Sequence, residues 1–471
     1  MTQAITLADV LAATGGQVAA AHATSFSRVG TDTRTLATGD LFVAILGNRF
    51  DGHAFLAEAH ARGAAGAIVS RDAPAPAGLT LVRVGDTRRA LGDLARHRRS
   101  ASRIPLVAIT GSNGKTTTKD LCAAILAEAG PTLATEGNFN NEIGLPLTLL
   151  RLGPEHRYAV VELGMNAPGE IAALARIARP DVGVVTNVGP AHVGRLGSID
   201  AIARAKGELL RALGPGGCAI FPGDDARLAA EAEHLPAAAR VRFGERDGDE
   251  ARLIAVEPFG RDGQRVRLRL GGIEFAARIA LPGRHNALNA LAAAAAARAL
   301  GVDAAKIAAG LERARFSPHR SRLVALAGRT VLDDCYNANP ASMVAALAAI
   351  AELRRDGGRL TPRGGTCGAA AVLGEMRELG DEAARLHTEV GAAVAVAGLD
   401  LLVCVGDAAA AIADGAVAAG MPVARVVRVA DAAAAADAVR ARTHPGDLVL
   451  VKGSRGARLE EVLANLEREG S

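Results

Sequence analysis

The sequence predicts an α/β protein of three domains, and three patterns along its 471 residues support this fold class. From Ile104 onward, short β-branched runs alternate with longer amphipathic stretches, which is typical of a parallel sheet covered by helices. Between Leu253 and Ala280, polar and apolar residues alternate in three runs separated by glycine-rich turns, which indicates antiparallel edge strands. After Pro318 a second strand–helix alternation predicts a separate, doubly wound, Rossmann-like domain.

The first hundred residues form the N-terminal α/β unit. Its strand candidates are SFSRVGTDTRTL and DLFVAILG, and a helix is expected from Ala54 to Gly63. The arginine-rich stretch from Arg83 to Arg103, followed by Pro105, marks the junction with the central domain. We therefore place the three domains at residues 1–102, 103–317 and 318–471.

The central and C-terminal domains are predicted element by element. In the central domain, strands IPLVAIT, YAVVEL and DVGVVT alternate with helices after Lys115, from Glu170 and from Ile199, and a long helix from His285 to Ala299 closes the unit. The C-terminal order is TVLDD, a helix at 341–353, AAAVLG, a helix at 381–397, LLVCVG, two further helical stretches, DLVLVKG and a final helix. The alanine tracts at 292–297 and 432–436 have helical spacing and predict packed helices, whereas 354–368 is a Gly/Arg-rich loop without an assigned function.

Composition excludes several classes of protein. The 54 basic and 50 acidic residues give a formal charge of +4 without long single-sign blocks, so no nucleic-acid partner is expected. The five cysteines are far apart and form no CxxC pair, which favours a reducing cytosol. The N-terminus lacks a signal-peptide pattern, and the most apolar tract, 390–399, is far shorter than the roughly 20 residues of a membrane span. We expect a cytoplasmic protein without membrane insertion.

The segment TGSNGKTT predicts a phosphate-binding loop for a nucleoside triphosphate. It follows strand IPLVAIT and opens a helix, where glycines and unpaired backbone amides favour an anion. Lys115 would contact the β- and γ-phosphates and the Thr116 hydroxyl would bind Mg²⁺. The pattern GxxxxGK[ST] would require glycine where Ile109 stands, so the loop is a variant; the alternative is a glycine turn with an incidental lysine. The nucleotide-binding candidates here are Thr110, Gly111, Ser112, Asn113, Gly114, Lys115, Thr116 and Thr117.

Three more side chains are candidates for the chemistry. Glu162 and His192 follow predicted parallel strands, whose C-terminal ends gather ligands, so both could hold a metal near the phosphates. Taken alone, Glu162 could equally be a structural carboxylate and His192 a loop cap, and Lys206 would be a solvated lysine. Segments EGNFNNEIGLP, LPGRHNALNA and DDCYNANPASM are dense in asparagine and glycine, which favours a ligand shell.

These segments resemble those of the Mur ligases of peptidoglycan synthesis. The resemblance covers nearly the whole chain, and the matching segments follow the order of that family. They are TGSNGKTT, EGNFNNEIGLPLTLL, ELGMNAPGEI, TNVGPAHVGRLGS, AKGELL, LPGRHNALNA, DDCYNANPASM, GEMRELG and VKGSRG. The resemblance is strongest to the branch that joins D-alanyl-D-alanine to UDP-N-acetylmuramoyl-tripeptide. DDCYNANP stands where the diaminopimelate- or lysine-adding branch has a Tyr-Ala-His type segment, and no DNPR motif is present.

The resemblance implies an N-terminal domain for the UDP-sugar, a central ATPase domain and a C-terminal domain for the amine substrate. It implies ATP and two Mg²⁺ ions, with Lys115, Thr116 and Glu162 at the phosphates and first ion and His192 at the second. Lys206 matches a lysine that is carbamylated in the family, which would turn a repelling cation into an anionic oxygen ligand.

The resemblance also implies ligand contacts for further residues. Asn286 and Asn289 would lie near the adenine, Asp334 would hold the ribose, and Arg320 would face the nucleotide. The candidates for the dipeptide side are Asn337, Asn339, Glu378, Lys452 and Ser454. The candidates for the UDP-sugar side are Thr33, Arg34, Asn48, Phe50, Asp51 and His53. The implied reaction is an ADP-forming ligation through an acyl phosphate, by a protein expected to be a monomer; the third residue of the tripeptide, diaminopimelate or lysine, stays open.

Other functions were weighed against this one. A Mur-type ligase that adds a single amino acid remains an alternative, as does a folylpolyglutamate synthase-like ligase, although the latter would not explain TDTRTL or FDGHAF. A GTP-binding switch would carry an NKxD motif, which the chain lacks. A nonenzymatic scaffold is disfavoured because all five candidates for phosphate and metal binding are retained: Lys115, Thr116, Glu162, His192 and Lys206.

Overall fold

The computed structural model describes residues 4–47, 50–190, 193–355 and 367–468, and it confirms the mixed α/β class. Three large sheets follow one another along the chain. The Gly/Arg-rich loop falls almost wholly outside the described residues, as do two of the predicted site residues, Asn48 and His192. No helix in the described ranges combines the length and the apolar character needed to cross a bilayer.

The first sheet lies in the N-terminal region. The elements there are β1 (Ile5–Thr6), α1 (Leu7–Thr14), β2 (Gln17–Ala20), β3 (Ser25–Phe26), β4 (Val29–Gly30), β5 (Leu41–Val43), α2 (Leu56–Ala61), β6 (Gly66–Val69), β7 (Thr80–Arg83) and α3 (Thr87–Ala101). The sheet has the order β2-β7-β6-β5-β4, with β4 to β7 parallel and β2 antiparallel at one edge.

The strand candidate SFSRVGTDTRTL is strand only in part. The segment forms two strands of two residues each, β3 and β4, and then a 3₁₀ turn at Thr33–Thr35. The Asp32 carboxylate causes this break, because it accepts a hydrogen bond from the backbone N–H of Arg34 at 3.0 Å and so caps the turn. The helix expected from Ala54 begins with a 3₁₀ turn and continues as α2.

The second sheet belongs to the central region. Its elements are β8 (Leu106–Thr110), α4 (Lys115–Ala127), β9 (Thr132–Ala134), α5 (Gly144–Leu149), β10 (Tyr158–Glu162), α6 (Glu170–Ala178), β11 (Val182–Val185), α7 (Val193–Leu196), α8 (Ile199–Arg211), β12 (Cys218–Pro222), α9 (Ala226–Glu231), β13 (Arg240–Gly244), β14 (Ala251–Pro258), β15 (Gln264–Leu270), β16 (Ile273–Ile279), α10 (Arg284–Ala299) and α11 (Ala304–Arg313). The order is β16-β15-β14-β13-β12-β11-β8-β10-β9.

The strand order indicates where a ligand site is expected, at the end of β8. Strand β8 pairs in parallel with β10 on one side and β11 on the other, so the chain switches sides around it, and the crevice at such a switch point is where open α/β sheets bind ligands. The predicted edge strands are confirmed, because β14, β15 and β16 are antiparallel to one another at one edge. Alanines 292–297 are buried in α10 and confirm the packed helix.

The third sheet forms the C-terminal region. Its elements are β17 (Arg322–Leu326), β18 (Arg329–Asp333), α12 (Pro340–Arg355), β19 (Ala369–Gly374), α13 (Ala383–Ala397), β20 (Leu401–Val405), α14 (Ala410–Ala418), β21 (Val426–Val429), α15 (Ala432–Arg442), β22 (Leu448–Lys452) and α16 (Glu460–Glu467). The order is β17-β18-β22-β19-β20-β21, parallel except for β17.

Buried side chains cover both faces of this third sheet. Successive residues of β19 and β20 alternate between two hydrophobic clusters, one packed against α12, α13 and α14 and the other against α15 and α16. This is the doubly wound arrangement expected from the sequence. Two edge strands, β17 and β21, were not predicted, because each is only half-buried and lacks the continuous apolar run of the central strands.

Candidate active site

Two glycines give the phosphate-binding loop its shape. The loop leaves β8 through Gly111 and enters α4 through Gly114, whose φ angles are 150° and 78°. A Cβ at Gly111 would lie 1.9 Å from Oγ1 of Thr186, and a Cβ at Gly114 would lie 2.3 Å from Oδ1 of Asn289. Both positions therefore exclude a side chain, and the backbone amides can face an anion at the start of α4.

Hydrogen bonds hold this loop against the segment that follows β11. The backbone N–H of Asn113 donates to Oδ1 of Asn187 at 2.9 Å, and the Asn113 carbonyl accepts from the Thr186 hydroxyl at 2.5 Å. Ser112 exchanges hydrogen bonds with the Gly189 backbone through its hydroxyl, at 3.0 and 2.9 Å. These hydrogen bonds fix the conformation of the loop.

Residues on both sides of the loop complete its anchoring. The buried Thr110 hydroxyl donates to the Leu163 carbonyl at 2.9 Å, while Thr117 is buried within the first turn of α4. Sequence reasoning did not single out Thr186 or Asn187, although both belong to the TNVGPAH segment that it flagged.

Two oxygen-bearing side chains, Thr116 of the loop and Glu162 of β10, lie next to each other. Thr116 donates its hydroxyl to Oε2 of Glu162 at 2.8 Å, and the side-chain amide of Asn140 donates to Oε1 at 2.7 Å. Glu162 is 3% exposed at the end of β10. A hydroxyl and a carboxylate held this close form a donor set that Mg²⁺ prefers, so these residues fit that ion. Asn140, from EGNFNNEIGLP, was missed as an individual residue.

Lys115 lies inside the loop. Its ammonium donates to the Gly111 carbonyl at 2.8 Å and to the Ser112 carbonyl at 3.3 Å. Burial lowers the pKa of Lys115, Glu162 opposes that shift, and the positive charge of Arg320 adds to it. The half-buried ammonium would therefore attract a phosphate more strongly than it would in water.

Lys206 is buried, which contradicts its interpretation as a solvated lysine. The side chain lies in α8 and is 1% exposed. Within the ranges that the structure describes, no hydrogen bond or ion pair involves its ammonium. Burial, and then the charge of Lys115, bring the pKa of Lys206 well below its ordinary value. The amine is consequently driven toward its neutral form.

Asn286 and Asn289, expected near the adenine, lie at the start of α10. The side-chain amide of Asn286 donates to the Pro282 carbonyl at 2.8 Å, and that of Asn289 donates to Oδ1 of Asn286 at 3.2 Å. Asn289 also fills the space beside Gly114, so this pair links α10 to the loop. His285 lies just before Asn286 in α10, and burial lowers the pKa of this histidine to about 4.

Asp334 and Lys452, which were expected to serve different substrates, form one ion pair. Lys452 Nζ lies 2.5 Å from Oδ2 of Asp334 and 3.1 Å from the carbonyl oxygen of Asn337, whose own side chain is exposed. The other Asp334 oxygen accepts a hydrogen bond from the backbone N–H of Ser321 at 3.0 Å. The pair therefore ties the end of β18 to β22 and to the turn at 319–321.

Arg320 stacks on the ring of Tyr336 and lies close enough to Lys115 of the loop to affect its charge. Its guanidinium carbon lies 3.9 Å from the ring centre of Tyr336, a cation–π geometry, and Nε is buried without a hydrogen-bond partner among the described residues. The charge of Arg320 reaches Lys115, as the lowered pKa of that lysine shows. Tyr336 was missed because a single aromatic residue in DDCYNANP gives no periodic signal.

The remaining dipeptide candidates lie in three places. Asn339 donates its side-chain amide to Oδ1 of Asn113 at 2.6 Å, so it contacts the phosphate-binding loop. Ser454 is buried and donates to the Glu375 carbonyl at 2.8 Å. Glu378 has a φ of 65° and pairs with Arg195 of α7 at 3.0 Å. Asn339 and Glu378 thus join the C-terminal region to the central one.

The described UDP-sugar candidates are engaged mostly with their own region. Thr33 donates to Glu58 at 2.9 Å, and the exposed Arg34 pairs with Asp32. His53 is 3% exposed; its Nδ1 lies 2.7 Å from Asp51, and its Nε2 accepts from the Ser70 N–H at 2.9 Å.

Two of these candidates differ in what they offer a ligand. Hydrogen bonds from His53 lower the pKa of Asp51 to about 2, so this carboxylate already serves the local structure. Phe50, by contrast, is 73% exposed and free to stack on a ligand.

Comparison with known proteins identifies the family. Three family models match: "Mur ligase family, catalytic domain" at 25–99, "Mur ligase middle domain" at 109–297 and "Mur ligase, glutamate ligase domain" at 319–455. The UDP-N-acetylmuramoyl-tripeptide–D-alanyl-D-alanine ligase of Escherichia coli K12 is 38% identical over 99% of each chain. The chain belongs to the Mur ligase family.

Solved Mur ligase structures have the same architecture. MurF from Acinetobacter baumannii is 34% identical and superposes with a TM-score of 0.88 over 99% of each chain. MurF from Thermotoga maritima, solved in complex with ADP, is 28% identical with a TM-score of 0.81, over 94% of this chain and 97% of that one. The likeness therefore extends over all three sheets of this Mur ligase.

Proposed function

We propose that this protein joins D-alanyl-D-alanine to UDP-N-acetylmuramoyl-tripeptide in an ATP-dependent, ADP-forming reaction, the last cytoplasmic step toward UDP-N-acetylmuramoyl-pentapeptide. The observation that carries the proposal is the likeness to the E. coli ligase, 38% identical along the full length of both chains. The phosphate-binding loop with Lys115, Thr116 and Glu162 supports ATP as the energy source. A ligase for a single amino acid and a folylpolyglutamate synthase-like ligase are not favoured, because the full-length relatives carry the dipeptide ligase name.

In the proposed reaction, the terminal carboxylate of the tripeptide attacks the γ-phosphorus of ATP, forming an acyl phosphate and releasing ADP. The amine of D-alanyl-D-alanine then attacks the acyl carbon, and the tetrahedral intermediate expels phosphate and loses a proton. Lys115 stabilises the charge that develops on the transferred phosphoryl group. Thr116 and Glu162 would hold one Mg²⁺, with His192 and a modified Lys206 at a second, and these ions would supply charge neutralisation at the phosphates.

We propose that Lys206 is carbamylated. Its buried amine has a strongly lowered pKa, and a neutral amine can attack carbon dioxide to give a carbamate and one released proton. The product carries negative charge beside Lys115, which replaces a repulsion between two cations by an attraction. If so, enzyme kept at low pH without carbon dioxide loses activity and recovers it with bicarbonate; a rate indifferent to carbon dioxide would contradict the carbamate.

The three regions have separate roles in this proposal. We assign the UDP-sugar to residues 1–102, ATP to 103–317 and the dipeptide to 318–471. Asp334, Arg320, Asn286 and Asn289 would serve the nucleotide. The substrates are small molecules, and we propose that the protein is a monomer. We also propose that it acts in the cytoplasm, since all five thiols are free, as in a reducing compartment.

The test is an ATP-dependent phosphate-release assay that crosses UDP-muramoyl-tripeptides containing diaminopimelate or lysine with D-alanyl-D-alanine and with single amino acids. We expect release only with the dipeptide, and the better tripeptide identifies the third residue. Release with single amino acids alone would reassign the chain to a different Mur ligase.

A further inference from the structure

Three potential metal ligands of different chemistry meet at the C-terminal end of β18. Asp333 is the last residue of that strand, Cys335 follows it, and His319 lies in the turn before β17. Nδ1 of His319 is 3.1 Å from Oδ1 of Asp333, and Sγ of Cys335 is 3.2 Å from the same oxygen and 3.5 Å from Nδ1. Asp333 and Cys335 are buried, and His319 is half-buried.

These separations suit a small tetrahedral ion. Zinc bonds of about 2.0 Å to nitrogen and oxygen and about 2.3 Å to sulfur place neighbouring ligands roughly 3.3 to 3.8 Å apart. The three atoms are already within a few tenths of an ångström of that spacing. One imidazole, one carboxylate and one thiol form a donor set that favours Zn²⁺ and disfavours Mg²⁺, which prefers oxygen alone.

We propose that His319, Asp333 and Cys335 form a binding site for a thiophilic divalent cation, with Zn²⁺ as the ion that fits best. The three residues are distinct from the proposed magnesium ligands, which include Thr116 of the phosphate-binding loop, Glu162 of β10 and Lys206 of α8.

A nearby carboxylate supports this assignment. Oε2 of Glu460 is buried and has no hydrogen-bond partner within the described part of the chain. Its charge reaches Cys335: burial first, and then the carboxylates of Asp333, Glu460 and Asp334, raise the pKa of that thiol. Asp334 pairs with Lys452, and the other oxygen of Glu460, Oε1, lies 3.8 Å from the guanidinium of Arg455. A cation would therefore enter a site beside several carboxylates, and a water molecule would be its fourth ligand.

Binding would change the protonation of two ligands. The Cys335 thiol gives its proton to solvent as the sulfur–metal bond forms, and the His319 proton moves from Nδ1 to Nε2, so one proton is released per ion. Without a metal, the raised pKa keeps this thiol protonated and poorly nucleophilic, which disfavours a redox role. The competing explanation is a plain hydrogen-bonded trio, in which Nδ1–H and S–H both donate to Asp333.

The position of the site suggests what the ion would do. His319 and Ser321 have φ angles of 60° and 50°, and they flank Arg320, while Asp334 follows Asp333. A metal would fasten the strained turn to the end of β18. If the proposed function is right, the metal would thereby hold Arg320 and Asp334 in position for the nucleotide.

Cobalt spectroscopy on the full chain tests the site without any substrate. Protein freed of metal by a chelator is titrated with Co²⁺ in excess Mg²⁺, which saturates all-oxygen sites. We expect one equivalent of Co²⁺ with a near-ultraviolet thiolate-to-metal charge-transfer band that Zn²⁺ abolishes. The absence of that band in the wild-type protein would overturn the proposal.

Matched variants locate the ligand. Cys335→Ser should lose the band, and Cys335→Ser and His319→Gln should each weaken Zn²⁺ binding by more than about 100-fold, since loss of even an outer partner costs about 10- to 100-fold. Cys404→Ser, which replaces a buried thiol of β20, should keep both properties. A band that persists in Cys335→Ser, or that disappears in Cys404→Ser, would contradict the assignment. Because no turnover is measured, this outcome is independent of the ligase proposal.

Discussion

The phosphate-binding loop and the C-terminal wall that faces it are built differently. The loop, residues 110–117, is held by short hydrogen bonds to neighbouring segments of the same sheet, such as that from Thr186 to Asn113. The C-terminal wall, which we define as the turn 319–321 with Asp334, Tyr336 and Lys452, depends on the ion pair of Lys452 with Asp334 and on the cation–π contacts that Arg320 and Arg455 make with Tyr336. A local motif therefore shapes the loop, whereas distant segments must fold together to form the wall.

Replacing Lys115 in the loop should have the largest effect on activity. Lys115→Ala removes a half-buried cation at the transferred phosphate, so we expect kcat to fall by about 10²- to 10³-fold with an unchanged melting temperature. The exposed Lys306 of α11 gives the control Lys306→Ala, which should retain full activity. Phosphate release by Lys115→Ala at a near-normal rate would refute the role of the loop.

Breaking the ion pair of the C-terminal wall should instead reduce stability. Asp334→Asn leaves the buried Lys452 ammonium without its partner, and we expect the free energy of unfolding to fall by about 3 kcal/mol in denaturant titrations. Asp414→Asn disrupts the exposed pair with Arg428 and should change it little, because solvent screens that pair. Equal losses in the two variants would show that the wall does not depend on a buried charge pair.

His285, beside the same ion pair, should make stability depend on pH. Its folded-state pKa of about 4 is below the ordinary 6.5, so between these values the unfolded chain binds a proton that the folded chain does not. Stability due to this group is complete above pH 6.5 and decreases as the pH falls toward 4, by at most about 3 kcal/mol.

His285→Gln should therefore flatten the curve of unfolding free energy against pH in that interval. His22→Gln, at an exposed histidine, should not change the curve. If both curves kept the wild-type slope, burial of His285 would not be the cause.

The contact between the loop and the C-terminal region should have the smallest effect. Asn339→Asp keeps the oxygen that accepts from the Ser342 N–H at the start of α12 but removes the amide that donates to Asn113, which corresponds to about 0.5 to 1.5 kcal/mol, or about 2- to 10-fold in kcat/KM for ATP. Ser342→Ala removes a cap from the same helix end without touching Asn113. The same decrease in both variants would assign the effect to the helix cap and not to the bridge.

The sequence predicted the elements of the fold that carry strong periodic signals. The strands around β8, the antiparallel edge and the alanine-rich α10 follow from local patterns and are confirmed. The segment SFSRVGTDTRTL is strand only in part because the capping carboxylate of Asp32 overrides the strand propensity of its neighbours. Strands β17 and β21 were not predicted, because their burial depends on their position at the sheet edge, which is a property of the tertiary fold.

In the candidate site, too, local motifs were predictable from the sequence and contacts between distant segments were not. The loop residues and Glu162 could be located from one motif and its neighbouring strand ends. The pairing of Asp334 with Lys452 could not, since 118 residues separate them and no local pattern joins them. Nor could the cluster of His319, Asp333 and Cys335, whose ligands come from a turn and a strand end with irregular spacing.

Transfer of an oxygen isotope tests the central claim, ligation through an acyl phosphate, most directly. The terminal carboxylate of UDP-muramoyl-tripeptide is labelled with ¹⁸O and ligated to D-alanyl-D-alanine with unlabelled ATP, and the released phosphate is analysed by mass. We expect one ¹⁸O atom in each phosphate, because the carboxylate oxygen that attacks ATP leaves with the phosphoryl group. Ligation with unlabelled phosphate would contradict it.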